Sequence, residues 1–181
     1  MRAFASILGL LALFAGPASA DVLSSAPGGF VTQHEIIIKT SRAAAWTAAV
    51  ENVGQWWNAS HTVAGDATRM SIDARPMGCF CEMLEGGNGV VHLTVTSVSR
   101  NVMLRMTGGL GPLGLMGVNG NMTWEFFDSV EGTRVKFTYA VGGYTEGGLE
   151  GIAGPVDYVI GEALGLLKDY AERTVAGTHV Q

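Results

Sequence analysis

The sequence predicts an α+β domain: a curved antiparallel sheet of about six or seven strands wrapped on one long C-terminal helix, with two short helices after the first strand. Three observations predict it. From residue 67 to 141 apolar residues recur with period two, as on half-buried strands. From Pro155 to Thr174 they recur with helical spacing. The glycines, 26 of 181 residues, gather in loops and form no repeat. A sheet with one apolar face must cover it, and the last helix is the element long enough to do so.

The chain opens with the parts of an export signal. Arg2 supplies a positive start, residues 3–15 are apolar, Gly16-Pro17 breaks the run, and Ala18-Ser19-Ala20 offers small residues to a peptidase. Cleavage is expected after Ala20, with Asp21 as the mature N-terminus, and the expected location is periplasmic or secreted. The apolar run is short for a membrane span. Residues 21–29 read as a flexible leader, 30–176 as one domain, and 177–181, around His179, as a frayed tail. About 160 residues remain after cleavage, enough for one sizeable core. The formal charge of −5 falls by one with the loss of Arg2, and no Lys/Arg stripe is present. That balance argues against nucleic acid or anionic lipid as a main partner.

Within the domain, residues 30–39 alternate as a strand, with Phe30, Thr32, His34, Ile36 and Ile38 on one face. Thr40-Ser41 caps a short helix over 42–51, and a second helical turn ends at Trp56-Trp57. Strands follow at 79–84, 90–97, 102–107, 121–128 and 134–141, after a shorter alternation at Met70 and Ile72. Met122, Trp124 and Phe126 should face the same way as Val135, Phe137, Tyr139 and Val141. Pro155 suits the first turn of the closing helix. Val156, Val159, Ile160, Ala163, Leu164, Leu167 and Ala171 form that helix's apolar face, with Asp157 among the polar remainder.

Two patterns invite chemistry and are read plainly. Cys79-Phe80-Cys81 places two sulfurs on one strand face; an oxidising compartment would permit a bond, and the reading taken is two buried thiols. The four histidines are scattered, so no metal is expected. Gly109-Leu110-Gly111-Pro112-Leu113-Gly114 spells the dinucleotide fingerprint, but Pro112 interrupts it and a strand follows it. It lacks the helix N-terminus that holds a pyrophosphate. Neither a nucleotide nor another cofactor is expected. The apolar loop bounded by Gly108 and Gly120 reads instead as a cavity lid, a core plug, or a site of transient membrane contact.

The order of elements, with certain local words, resembles the START/SRPBCC (helix-grip) superfamily, and in particular its polyketide cyclase/dehydrase and lipid-transport group. The words are Ala45-Trp46 after the opening strand, Trp56-Trp57 with His61 just beyond, Gly78-Cys79-Phe80-Cys81-Glu82, and Val91-His92. The Gly109-Leu110-Gly111-Pro112-Leu113 loop and the closing helix complete them. The resemblance covers nearly the whole mature chain. It departs before the first helix, where Ser41-Arg42-Ala43 stands in place of a proline found in many relatives. It implies a cavity for lipids, sterols, polyketides or aromatic metabolites, in which only some members catalyse a reaction.

Candidate residues follow from faces and chemistry. With Leu84 opposite Val90, Glu82 lies across from His92, and both fall on the side opposite Cys79 and Cys81, which is taken as solvent-facing. The pair then reads as a surface contact; a one-residue slip would turn it inward as an acid/base pair. His34, Tyr139, Glu82 and His92 are the candidate catalytic groups. Tyr139 is the first choice for a polar ligand contact, because a buried hydroxyl needs a partner. Trp124, Phe126, Phe137, Met70, Met122, His34, His61, Trp57, Leu113, Val156, Ile160 and Leu164 complete the expected ligand wall. The leading reading is an exported carrier of a small hydrophobic molecule held between sheet and helix. A cyclase- or hydratase-like enzyme on the same scaffold and a protein-interaction module are the alternatives.

Overall fold

The structure, a computed structural model, describes the backbone of residues 21–178 and the side chains of 22–174. The expected signal peptide and residues 179–181 of the expected tail lie outside the described residues. Strands β1 (Asp21–Ala26), β2 (Gly29–Ile38), β3 (Met70–Ile72), β4 (Cys79–Met83), β5 (Gly89–Ser99), β6 (Met103–Gly108), β7 (Val118–Ser129) and β8 (Gly132–Gly143) form one antiparallel sheet. Their order is β1-β2-β8-β7-β6-β5-β4-β3. Helix α1 (Arg42–Trp46) widens into a π-helical turn, Thr47–Glu51, and helix α2 (Glu150–Thr178) closes the chain.

The architecture is the expected one with an eighth strand. The addition is β1, which occupies much of the segment read as a flexible leader. It pairs with β2 through Ser25 opposite Phe30 and Ala26 opposite Gly29. An edge strand of mixed Val and Ser shows no alternation, so it left no signal in the sequence. A second departure concerns Pro155, which lies inside α2 and not in its first turn. The helix starts earlier because the buried Leu149, at its threshold, is fixed by its N–H donating to the Pro27 carbonyl at 3.0 Å. A proline there removes one intrahelical bond, the one that Gly151 would accept.

The core sits between the sheet and its helices. Met122, Trp124 and Phe126 of β7 are buried with Val135, Phe137 and Tyr139 of β8, as the alternation predicts. Trp124 stacks on Phe137 with centroids 4.2 Å apart, and Trp46 of α1 tilts against Phe126 at 5.3 Å. This middle region is solid. Helix α2 packs across β1 and β2, burying Ile160, Ala163, Leu164, Leu167 and Ala171.

One polar cluster lies under α2. Asp157 Oδ1 accepts from Thr32 Oγ1 and lies 2.8 Å from His34 Nε2, all three residues buried. Asp157 therefore belongs to the packed face of the helix and not to its polar remainder. Gly161, one turn further, makes room for the imidazole: a Cβ there would lie 2.9 Å from His34 Cε1.

The two cysteines correct another expectation. Cys79 and Cys81 are bonded to each other, with Cα atoms 5.4 Å apart, on the outward and only partly buried face of β4. They are not buried thiols, because the inward face of β4 belongs to Phe80 and Glu82.

Candidate functional site

The site begins with a β-bulge. Glu82 pairs with Val90 and Cys81 with Val91, but Phe80 pairs with Leu93, so His92 is an extra residue on β5. A bulge lets consecutive side chains share a face. His92 and Leu93 accordingly both point inward, at 4% and 0% exposure. The expected solvent-facing Glu82–His92 contact is thus replaced by a buried one. Strict alternation, on which that expectation rested, fails at this position.

Glu82 is fully buried and accepts three hydrogen bonds. Ala64 N–H donates to Oε1 at 2.5 Å, Val63 N–H to Oε2 at 2.9 Å, and His92 Nε2 to Oε2 at 3.3 Å. Burial pushes its carboxyl up. The bonds from the Val63 and Ala64 backbones, with His92 beside them, outweigh that and hold the group below its usual range. Glu82 is therefore an ionised carboxylate that ties the segment after His61 to β4.

A second histidine is held in a similar way. His61 Nε2 lies 3.0 Å from Glu162 Oε2 on α2, and Asn58 Nδ2 donates to the same oxygen at 2.9 Å. Asn58 also caps the single 3₁₀ turn Ala59–His61, accepting from Ser60 N–H at 2.9 Å. His61 is thereby presented from a short turn whose ends are both fixed.

The third wall is the glycine-rich loop, which contains the 3₁₀ turn Gly111–Leu115. Leu113 is its buried plug, while Leu115 is 93% exposed. Tyr139 anchors it: the hydroxyl donates to the Gly108 carbonyl at 2.9 Å and accepts from Leu110 N–H at 3.0 Å. Burial pushes the Tyr139 pKa up to about 12. Its hydroxyl is thus committed to the loop. Gly120 permits this, since a Cβ there would lie 2.5 Å from the Tyr139 ring. Gly120→Ala should displace the ring and loosen the loop, lowering stability by roughly 1–3 kcal/mol. Hydrogen exchange should show faster exchange at Leu110 in that variant.

These walls enclose a predominantly apolar pocket of about 680 Å³ at one end of the domain. The helix packs on β1 and β2, and the gap opens toward the β3–β5 side of the sheet. Trp57, His61 and Met70 border the pocket, as do Val156 and Ile160 of α2, all five named from sequence as ligand contacts. His92 borders it too. Trp124, Phe126, Phe137, Met122, Leu113 and Leu164 instead lie in the solid core, and His34 belongs to the Asp157 cluster. Sequence reasoning missed Val63, Val90 and Ile152 on the wall, and Glu162 behind His61. Ile152 lies one turn before Val156 and could have been found from helical spacing. Glu162 carried no local signal.

Fold and site together define a helix-grip type of architecture, a curved antiparallel sheet with a C-terminal helix, carrying an apolar pocket at one end. No family model matches the chain, nor does any curated protein. Solved structures do share the fold. An uncharacterised protein from Rhizobium leguminosarum is 20% identical with a TM-score of 0.56, over 79% of this chain and 94% of that one. A protein from Mesorhizobium loti is 16% identical with a TM-score of 0.57, over 80% and 98%. The di-domain ARO/CYC StfQ of the steffimycin biosynthetic pathway is 12% identical with a TM-score of 0.57, over 83% of this chain and 53% of its own. This chain thus shares its fold with these proteins.

Proposed function

We propose that this chain is an exported member of the START/SRPBCC superfamily that carries a small hydrophobic molecule, such as a lipid, polyketide or aromatic metabolite, in the end pocket. The pocket carries the reading: about 680 Å³ of mainly apolar space, bounded by helix, sheet and loop. That volume lies within the range of small-molecule sites. Burying roughly 300 Å² of ligand apolar surface at about 25 cal/mol per Å² contributes about 7.5 kcal/mol, before the cost of association. The likeness in fold to StfQ supports an aromatic or polyketide guest. The Cys79–Cys81 bond supports export, because such bonds persist in oxidising compartments. The exposed Leu115 beside the mouth supports transient membrane contact during loading.

Native mass spectrometry of protein purified from its own compartment should reveal a retained apolar guest. The neutral fluorophore N-phenyl-1-naphthylamine should bind the wild type, and Val156→Trp should weaken it by about tenfold or more by filling the pocket. No fluorescence enhancement, or equal affinity in the variant, would defeat the proposal. The cyclase- or hydratase-like reading is favoured by one observation, the carboxylate-backed His92 on the pocket wall. It requires turnover that His92→Ala abolishes while probe binding survives.

A further inference from the structure

The polar side chains that border the pocket are Ser60, His61, Thr62 and His92; the two hydroxyls donate to Asn58 and to the Ala59 carbonyl, and the two histidines, each paired with a carboxylate behind it, restrict the ligand. A carboxylate only accepts hydrogen bonds, so beside the ionised Glu82 the His92 Nε2 must carry the proton. In its neutral form the ring has its lone pair on Nδ1, the tautomer that a carboxylate partner selects. Among the described residues, the fully buried side-chain nitrogens and oxygens without a partner are the indole nitrogens of Trp46 and Trp124. His92 Nδ1 has no hydrogen-bond partner among the described residues and is not one of them. It therefore reaches accessible space, and its ring borders the pocket. His61 repeats the arrangement, with Nε2 turned to Glu162.

Both acceptors are thus backed by acid groups. Among the described residues that border the pocket there is no Lys or Arg to offset them. A ligand carboxylate would meet lone pairs backed by negative charge, whereas a hydroxyl hydrogen would meet an acceptor.

We propose that the pocket selects neutral hydroxyl-bearing apolar ligands, such as phenols or enols, through O–H donation to His92 Nδ1, and disfavours carboxylates. The inference rests on the carrier reading above and adds a rule for what the carrier accepts. Glu82 acts as a positioning residue, fixing the tautomer without touching the ligand.

Three probes of matched ring size test it by calorimetric titration at neutral pH: β-naphthol, its methyl ether, and β-naphthoate. β-Naphthol should bind about tenfold more tightly than the ether, which has no hydrogen to donate. β-Naphthoate should bind more weakly than either. His92→Phe should bring β-naphthol and its ether to equal affinity. The comparison of β-naphthol with its ether uses the wild type alone, so the test holds even if the variant unfolds. β-Naphthoate binding as tightly as β-naphthol, or a hydroxyl advantage that survives in His92→Phe, overturns the proposal. If all three probes bind alike, the pocket stands and the donor rule falls. If none binds, the carrier reading falls and takes this inference with it.

Discussion

Glu82→Ala should destabilise the protein by about 3–5 kcal/mol, because it removes three hydrogen bonds to an ionised carboxylate, each worth roughly 1.5–3 kcal/mol and less where water replaces it. The substitution leaves Val63 N–H, Ala64 N–H and His92 Nε2 without their acceptor; the first two belong to exposed residues, and the unpaired donor on the buried His92 costs roughly 1–3 kcal/mol by itself. Urea unfolding at neutral pH measures the total. Glu82→Gln keeps one acceptor oxygen and should lose less. The contribution of Glu82 also has a definite pH dependence. Its folded-state pKa lies below the ordinary value of 4.5, so the stabilisation is complete above that value. It disappears as the pH falls through the lower, folded-state value. The gap between wild type and Glu82→Gln should therefore narrow on acidification. A gap that widened below pH 4.5 would contradict the assigned direction.

Asp157→Ala should cost a similar amount, about 3–5 kcal/mol, by stranding His34 and Thr32 beneath α2. The sharper test is an asymmetry. Replacing all three polar groups together, as Thr32→Val, His34→Phe and Asp157→Leu, should cost less than Asp157→Ala alone. Removing every partner leaves nothing unsatisfied, whereas removing one leaves two. Thermal unfolding of both variants decides it. A triple variant less stable than the single would mean that the cluster contributes more than the satisfaction of its own members. The volume change at His34 is limited by Gly161, so overpacking against that glycine is the competing cost.

The pocket shows where local pattern loses its power. Val156 and Ile160 were legible as one helix face, and Met70 as an inward strand position. Trp124, Phe126 and Phe137 carry the same apolar signal, yet they fill the core. Period two states that a side chain faces inward; it does not state whether helix, loop or empty space lies opposite. Tyr139 is the clearest case. Its burial and its need for a partner were both predicted, but the partners proved to be the backbone of its own protein's loop.

By itself the sequence determined the class of fold, the inward face of β7 and β8, and the long closing helix, because each follows from repeating local periods that hold whatever the neighbours do. Tertiary structure alone decided the inward turn of His92, the pairing of Asp157 with His34, and the placing of the pocket at one end. A single extra residue in a strand inverts the faces beyond it without changing composition. The line along which a helix crosses a sheet is settled by packing between residues more than a hundred positions apart, a distance no local pattern spans.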